Sequence, residues 1–366
     1  MGVRKRRAVV AMSGGVDSSV AAALLKRAGW DVTGVTMRLV DLPVEACRSE
    51  DLRSCCGRRA VEDAHRVALA LKIPHYVADM RAPFRDLVIG EFCREYARGR
   101  TPNPCVLCNR LIKFDLLLEK ARALGADHLA TGHYARIFRA PGSKAYELKK
   151  GLDRAKDQSY FLYAMSQDQL ARVLFPLGGR TKSEVRRLAR TWGLPVADKA
   201  ESQEICFVPD NDYAGFLRGK VPAIFRPGAV VDLEGRRIGE HRGYAGFTVG
   251  QRRGMGVSAS GRLYVISVDP EANTVVAGPD SALRSRGLVA SEVTYPSGTG
   301  PRGPFRARAK IRYRHAEAEA VITPLGARDA RVSFAAPQRA VAPGQSVVFY
   351  RRSTVVGGGT IEFRVR

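Results

Sequence analysis

Apolar runs alternate with amphipathic stretches along the first 200 residues of the chain. The pattern predicts a buried strand from Ala8 to Met12 and a helix from about Asp17 that ends at Gly29. Further strands are predicted in DVTGVTMRLV, PHYVADM and ADHLATGH, and further helices in RRAVEDAHRVALALKI, from Ala82 to Ala97, from Phe114 to Leu124 and in TKSEVRRLARTWGL. This alternation predicts a parallel sheet with helices on both faces, which binds ligands at the carboxyl ends of its strands.

The pattern changes at about Ala223, where short β-type runs rich in glycine replace the helical periods. We predict a small β-rich central domain there and, from about Ser281, a small β-barrel. The predicted fold class is α/β, with a parallel-sheet domain at 1–215, a β-rich domain at 216–280 and a barrel domain at 281–366.

The charge balance changes the picture, because 60 Lys and Arg against 36 Asp and Glu in 366 residues leave a net charge of +24. That sign favours a nucleic-acid partner; the alternative is an arginine-rich composition, since arginines are scattered through the chain. In FRARAKIRYRH the apolar residues alternate with five cations, Arg306, Arg308, Lys310, Arg312 and Arg314. On one strand these cations would form a stripe of about 26 Å that tracks phosphates; the alternative is a solvated strand face.

No targeting or membrane segment is recognised. The apolar run near the start is too short for a signal peptide, and no stretch of about 18 apolar residues follows. We therefore expect a cytoplasmic protein without a membrane partner, whose seven cysteines are largely reduced.

The heptapeptide SGGVDSS follows the first predicted strand directly. Gly14 and Gly15 let the backbone approach a phosphate, which then faces the positive end of the next helix. The loop lacks the lysine of the Walker A motif, so a kinase-type grip on a terminal phosphate is not indicated. On local grounds, Asp17 and Ser18 could instead simply cap the helix.

Two cysteines three residues apart, Cys105 and Cys108, lie in RTPNPCVLCNRLIKF, where Pro102 and Pro104 predict a loop. Such a pair suits half a zinc site, a redox dithiol or two iron–sulfur ligands. No second C-x-x-C completes a zinc site. A redox dithiol would sit at a helix N-terminus after a strand, a context that the flanking prolines and the following NR do not supply. Two inert thiols are the remaining alternative. Cys206 in ESQEICFVP is, taken alone, more typical of a core residue.

Several long motifs in order then identify a family. The loop SGGVDSS, the CCG at Cys55, RTPNPCVLCNRLIKF, LATGHYAR, KDQSYFL, ESQEICFVP and FTVGQRRGMG closely resemble those of the tRNA-specific 2-thiouridylases, the MnmA/TrmU family. The resemblance implies a PP-loop ATP pyrophosphatase fold, of the adenine nucleotide alpha hydrolase type, in the first domain and a tRNA-binding barrel at the end. It also implies an ATP-dependent reaction in which the 2-oxo group of the wobble uridine is adenylated and then replaced by a persulfide sulfur.

The resemblance assigns roles residue by residue. The implied ATP contacts are Ala11, Met12, Ser13, Gly14, Gly15, Val16, Asp17, Ser18, Met37 and Gly132, with Mg²⁺ expected beside ATP and Asp17 counted among the catalytic residues. The implied nucleophile is Cys108, and Cys206 carries the persulfide, so a transient Cys108–Cys206 disulfide is expected. The implied tRNA contacts are Asn103, Pro104, Cys105, Lys156, Asp157, Gln158, Arg312 and Tyr313. A persulfide-donating carrier or cysteine desulfurase would be a second partner.

One residue departs from the family pattern, because many members carry Asp at the position of Cys105. Three thiols, Cys105, Cys108 and Cys206, could instead hold a [4Fe-4S] cluster with one open iron site. Cluster and persulfide routes both stay open at this point. No role is assigned to Cys47, Cys55, Cys56 and Cys93. Alternatives to a tRNA thiolase are a PP-loop enzyme acting on a small metabolite and a non-catalytic iron–sulfur RNA-binding protein.

Overall fold

The computed structural model describes residues 5–40, 58–139, 142–200, 205–208, 212–257 and 261–365. Over these residues the strands form a five-stranded, a four-stranded and an eight-stranded sheet. The first strands are β1 (Arg7–Ala11), β2 (Asp31–Arg38), β3 (His75–Asp79), β4 (His128–Ala130), β5 (Ala135–Arg139), β6 (Tyr146–Lys150) and β7 (Val173–Leu174).

Helices connect these strands and continue beyond them. The α-helices are α1 (Val16–Arg27), α2 (Arg58–Leu71), α3 (Arg81–Phe84), α4 (Gly90–Ala97), α5 (Pro104–Leu107), α6 (Leu118–Ala123), α7 (Gln167–Arg172), α8 (Lys182–Thr191) and α9 (Tyr213–Lys220). Two π-helices, Arg85–Ile89 and Cys108–Leu117, join α3 to α4 and α5 to α6. Within the part of the chain that the structure describes, no helix is both long and apolar enough to cross a membrane.

The first sheet is parallel, in the order β3-β2-β1-β4-β7. Successive residues of β1 face opposite sides: Ala8 and Val10 pack in one hydrophobic cluster with α1 and α2. Val9 packs in another with the helices from α3 to α6. Helices therefore cover both faces, as the sequence predicted.

Helix ends follow local chemistry. In α1, Asp17 lies in the first turn and Lys26 and Arg27 in the last, which suits the helix dipole. Gly29, with φ of +84°, follows the end of α1. At the start of α8 the Thr181 and Glu184 side chains form a capping box.

The second half of the chain is built from strands. They are β8 (Gly228–Val231), β9 (Arg237–His241), β10 (Tyr264–Asp269), β11 (Thr274–Gly278), β12 (Arg284–Thr294), β13 (Phe305–Lys310), β14 (Ala318–Pro324), β15 (Ala330–Arg339), β16 (Ser346–Arg351) and β17 (Thr354–Val365). The four-stranded sheet has the order β10-β11-β8-β9. Six strands in the order β12-β15-β14-β13-β16-β17 close into a barrel, because β12 also pairs with β17. The expected fold class is thereby confirmed.

The hairpin β5–β6 was not predicted, and it joins the first unit to the barrel. Thr354 of β17 pairs with Lys149 of β6, and the Lys150 amide donates to the Ser353 carbonyl oxygen at 2.8 Å. A second link is the ion pair between Arg100 and Glu362 of β17. One sheet thus runs from the first unit into the barrel, while the limits 1–215, 216–280 and 281–366 stay a prediction.

Candidate active site

The turn between β1 and α1 has the shape of a phosphate loop. Gly14 has a φ of +67°, and a Cβ there would lie 2.2 Å from the Ala60 carbonyl oxygen of α2, so only glycine fits. The Ser18 hydroxyl accepts from the Ser13 amide at 3.1 Å and donates to the Gly15 carbonyl oxygen at 3.2 Å. The turn leads directly into the 12-residue α1, whose first amides are suited to bind a phosphate.

The other predicted nucleotide contacts lie at the same edge of the sheet. Ala11 ends β1, and Met12 is buried after it. A Cβ on Gly132, just after β4, would come within 2.8 Å of the Ser18 amide nitrogen, so this turn packs directly on the start of α1. Met37 is half-buried near the end of β2. The structure therefore gathers the ends of three neighbouring strands around the loop.

Asp17 is contacted by two side chains that are distant in sequence. Lys182 Nζ lies 2.8 Å from both Asp17 carboxylate oxygens, and the Tyr134 hydroxyl donates to Oδ1 at 2.8 Å. Lys182 begins α8, is buried, and has its Nζ 5.9 Å from the centroid of the Tyr134 ring. An ammonium group therefore lies at the start of α1, although the loop itself contains no lysine.

A second lysine, Lys199, lies beyond the end of α8 and contacts both the loop and α2. Lys199 Nζ donates to the Gly14 carbonyl oxygen at 3.0 Å and to the carboxylate of Asp63. Burial raises the pKa of Asp63, but hydrogen bonds from Lys199 and Arg66 outweigh burial and keep the pKa below its ordinary value. Asp63 thus stays ionised and holds Lys199 against the loop.

Sequence reasoning missed Lys182 and Lys199, which lie 165 and 185 residues from the loop residues they contact. For Lys182 a signal existed, because the capping box Thr181–Glu184 places it in the first turn of a helix. Nothing local marks Lys199. Both lysines reach the loop only through the packing of the first unit.

Cys105 and Cys108 lie on a helix, so the predicted loop was wrong. Pro104 occupies the first turn of α5, where its missing N–H is not needed by the helix. Cys105 is exposed in α5, and Cys108 is 8% exposed at the start of the following π-helix. The pair does lie at a helix N-terminus, but α4 and not a strand comes before α5, so the setting expected of a redox dithiol is only partly present.

The π-helix that carries Cys108 packs on the turn that follows β4. The Phe114 ring lies 5.9 Å from the ring of His133, which follows Gly132. His133 Nδ1 lies 2.6 Å from Thr131 Oγ1, and burial holds the pKa of His133 well below its ordinary value. A neutral, packed imidazole thus joins the thiol-bearing helix to the turn behind the phosphate loop.

Cys206 lies beside an aromatic anchor. Its neighbour Phe207 is buried, with ring centroids 5.6 Å from Phe84 and 5.2 Å from Phe92. Cys206 is half-buried and packs against the same hydrophobic cluster that contains Cys108. Both thiols predicted to exchange sulfur thus contact one extended cluster, which runs from the first sheet into the barrel.

Within the part of the chain that the structure describes, the cysteines are not gathered into a metal-binding group. Across the described residues, no group of three His, Cys, Asp or Glu side chains is arranged to hold a metal ion. A cluster would require Cys105, Cys108 and Cys206 around one centre. Burial raises the pKa of the Cys93 thiol, which is half-buried in α4. Cys47, Cys55 and Cys56 lie outside the described residues.

The implied tRNA contacts in KDQ include two side chains bonded to protein backbone. Asp157 is buried, and its Oδ1 accepts from the amides of Gly151 at 3.0 Å and Ser159 at 3.1 Å. Gln158 Oε1 accepts from the Tyr134 amide at 3.0 Å. These two side chains shape the loop, whereas Lys156 is half-buried beside them and Asn103 and Pro104 begin the cysteine helix.

The predicted stripe of five cations on one strand is wrong. β13 ends at Lys310, and residues 311–315 form a turn. Arg312 NH2 donates to the carbonyl oxygens of Arg339 at 2.9 Å and Ala340 at 2.8 Å. The Tyr313 ring packs 4.6 Å from that of Phe161. Both residues implied as tRNA contacts thus have contacts within the protein.

Three family models match the chain: the tRNA methyl transferase HUP domain at 6–210, the tRNA methyl transferase PRC-barrel domain at 215–279 and the aminomethyltransferase beta-barrel domain at 285–361. The tRNA-specific 2-thiouridylase MnmA 1 of Caldanaerobacter subterraneus is 51% identical over 98% of this chain and 99% of its own length. The tRNA-specific 2-thiouridylase MnmA of Heliobacterium modesticaldum is 53% identical over 98% and 92%. A solved 4-thiouridine synthetase in complex with RNA and ATP is 19% identical. The match covers 59% of this chain and 50% of the synthetase chain. Its TM-score of 0.37 supports no argument.

Proposed function

The chain belongs to the family of tRNA-specific 2-thiouridylases, and on that premise we propose that it replaces the 2-oxo oxygen of the wobble uridine of tRNA with sulfur in an ATP-dependent reaction. One observation carries the proposal. The helix of Cys108 packs through Phe114 on His133, and the adjacent Gly132 packs on the start of α1. A phosphate loop and a thiol are thereby parts of one unit, which suits thiolation better than the methyl transfer after which the matching family models are named.

ATP is the substrate that the phosphate loop would hold. Gly14 and Gly15 allow close approach of the phosphates, and Lys182 and Lys199 add positive charge near the loop. Bound ATP supplies the AMP group that activates the uracil 2-oxo oxygen, with pyrophosphate leaving. The described residues offer no group of three acidic or imidazole ligands, so we propose that Mg²⁺ is held by the ATP phosphates with Asp17 as its protein ligand.

Sulfur transfer would use the two thiols of the shared cluster. Cys206 carries the persulfide, and the Cys108 thiolate attacks its inner sulfur. The bond between the two persulfide sulfurs breaks, a Cys108–Cys206 disulfide forms, and hydrosulfide leaves with the electron pair. Hydrosulfide adds to C2 of the adenylated uracil and expels AMP. An external dithiol then reduces the disulfide, so one persulfide is consumed in each turnover.

We assign no step to an iron–sulfur centre, because the described residues gather no three ligands suited to hold a metal ion. Cys105 is exposed at the start of α5, next to Asn103, in the segment proposed to lie beside the target base. A thiol is a weaker acid–base group there than the Asp of many relatives. We propose that Cys105 contacts tRNA without carrying sulfur.

The partners follow from this chemistry. The substrate is tRNA, whose wobble base lies in a single-stranded loop and can be splayed out. The persulfide on Cys206 must come from a sulfur carrier or a cysteine desulfurase, and both would meet the protein in the cytoplasm.

The test is a reconstituted reaction of the full chain with unmodified tRNA, MgATP and a persulfide donor. We expect 2-thiouridine in digested tRNA by mass spectrometry, with pyrophosphate released only when tRNA is present. Cys108→Ser and Cys206→Ser should lower thiolation by at least about 10³-fold while pyrophosphate release continues, since activation precedes sulfur transfer. Cys93→Ser is the matched control, because it makes the same substitution at a half-buried thiol of α4 that has no proposed role.

Two outcomes would contradict the proposal. Pyrophosphate release that is independent of tRNA and stimulated by a small metabolite would point to the alternative PP-loop enzyme. Undiminished thiolation by Cys206→Ser would remove the persulfide role of that residue.

A further inference from the structure

A cavity lies where the β5–β6 hairpin of the first unit meets the barrel. It is open to solvent, has a volume of about 500 Å³ and is lined by five cations, Lys150, Arg154, Arg308, Lys310 and Arg352. The backbone holds its walls together, because the Lys150 amide donates to the Ser353 carbonyl oxygen at 2.8 Å. The cavity is therefore built by the junction of two units rather than by one flexible loop.

Two carboxylates also line the cavity, and both are engaged by the protein. Asp157 is buried and accepts hydrogen bonds from the Gly151 amide and from the amide and hydroxyl of Ser159. Glu317 pairs with Lys150, whose Nζ also lies 4.2 Å from the centroid of the Tyr350 ring. Positive charge therefore dominates what the cavity can offer to a ligand.

The remaining cations are placed to meet an anion. Arg154 and Arg352 are exposed. Arg308 is also exposed, pairs with Glu319 at 3.2 Å and donates to the Glu317 carbonyl oxygen at 3.5 Å. Lys310 is half-buried, with its Nζ 5.6 Å from the centroid of the Tyr313 ring. Burial lowers the pKa of Lys310, so a bound anion would relieve an unfavourable charge.

Contacts lead from the cavity to both reactive segments. Lys310 Nζ lies 6.0 Å from the centroid of the Tyr160 ring, and Tyr160 interacts with the side chain of Asn103, two residues before Cys105. On the other side, Asp157 adjoins Gln158, which bonds the Tyr134 amide, while the Tyr134 hydroxyl bonds Asp17. Packed side chains thus connect the cavity walls to the cysteine helix and to the phosphate loop.

We propose that this cavity binds backbone phosphate of the tRNA substrate. The proposal rests on the proposed function for the identity of the RNA. Asp157 and Arg312 were expected to contact tRNA but use their polar groups within the protein. The cations of the cavity would supply the missing RNA contacts. The exposed guanidiniums of Arg154, Arg308 and Arg352 supply the planar donors that suit phosphate.

The test is tRNA binding by the full chain, measured by fluorescence anisotropy over about 50 to 300 mM salt. Arg154→Gln/Arg352→Gln is the variant, and Lys120→Gln/Arg122→Gln on α6, which lines no part of the cavity, is the control with the same charge change. We expect the variant to raise Kd about tenfold near 100 mM salt and to lower the salt slope by about 1 to 2, while the control changes Kd less than about twofold. Both variants replace exposed side chains, so equal thermal transitions are expected.

The outcomes separate this proposal from the function on which it rests. If the wild type thiolates tRNA and the variant binds tRNA with the Kd and salt slope of the control, the cavity proposal is overturned and the function stands. If the wild type neither binds nor thiolates tRNA, both fall. Loss of inorganic pyrophosphate binding in the variant, with tRNA binding unchanged, would show a small-anion site and likewise overturn the proposal.

Discussion

Replacing Gly14 by alanine tests whether the phosphate loop depends on a backbone shape that only glycine adopts. A φ of +67° lies in the left-handed region, which costs an L side chain about 1–2 kcal/mol. The new Cβ would also lie 2.2 Å from the Ala60 carbonyl oxygen and 3.0 Å from the Ala60 Cα. Reaching ordinary contact distance requires the loop or α2 to move by about 1 Å, and overpacking of that kind costs about 1–3 kcal/mol.

We therefore expect Gly14→Ala to lower the free energy of unfolding of the first unit by about 2–5 kcal/mol. The displacement would also disturb the 3.0 Å hydrogen bond from Lys199 Nζ to the Gly14 carbonyl oxygen. ATP affinity should fall at least about tenfold, which corresponds to about 1.4 kcal/mol. Urea unfolding followed by circular dichroism and ATP titration by calorimetry measure the two effects.

Gly15→Ala is the matched control in the same loop. Gly15 has a φ of −101°, and a Cβ there would meet only the Ser13 hydroxyl, at 3.5 Å. Because Gly15 caps α1, alanine should cost no more than about 1 kcal/mol of unfolding free energy. Equal destabilisation by the two substitutions, or none by Gly14→Ala, would refute the steric argument.

Three further predictions concern contacts distant in sequence. Lys182→Gln should weaken ATP binding about tenfold in calorimetry, because it removes the ammonium at the start of α1; unchanged affinity would contradict a role of Lys182 at the phosphates. Tyr134→Phe removes one hydrogen bond to Asp17 and should lower the unfolding free energy by about 1–2 kcal/mol, measured by urea unfolding; no change would show that this bond adds nothing. Burial raises the pKa of Glu362, but hydrogen bonds from Arg100 and Ser291 outweigh burial and hold the pKa below 4.5. The stability from this contact is therefore present above about pH 4.5 and is lost as the pH falls through the folded pKa. The melting-temperature difference between wild type and Glu362→Gln should shrink on acidification. A constant difference would refute the assignment.

Local patterns accounted for much of this protein. The strand, glycine turn and helix around Gly14 follow from residues within a few positions of one another, and the structure contains them as predicted. The family was also readable from the sequence, because its motifs are long and occur in order. The same local reasoning failed at Pro104, since two prolines suggested a loop where the second one starts a helix.

Other features were decided only by the tertiary structure. Lys182 and Lys199 reach the loop, β6 joins the barrel, and Arg312 turns inward to bond the backbone. Each of these arrangements depends on which distant segments pack together. The two partners of each contact lie far apart in sequence, so no local hydrophobic period predicts them. Sequence alone therefore determined the α/β class, the phosphate loop and the family whose motifs nominate the candidate thiols. Only folding decided which charges surround the loop and which cations remain exposed, because burial and pairing belong to the packed chain rather than to any short stretch of it.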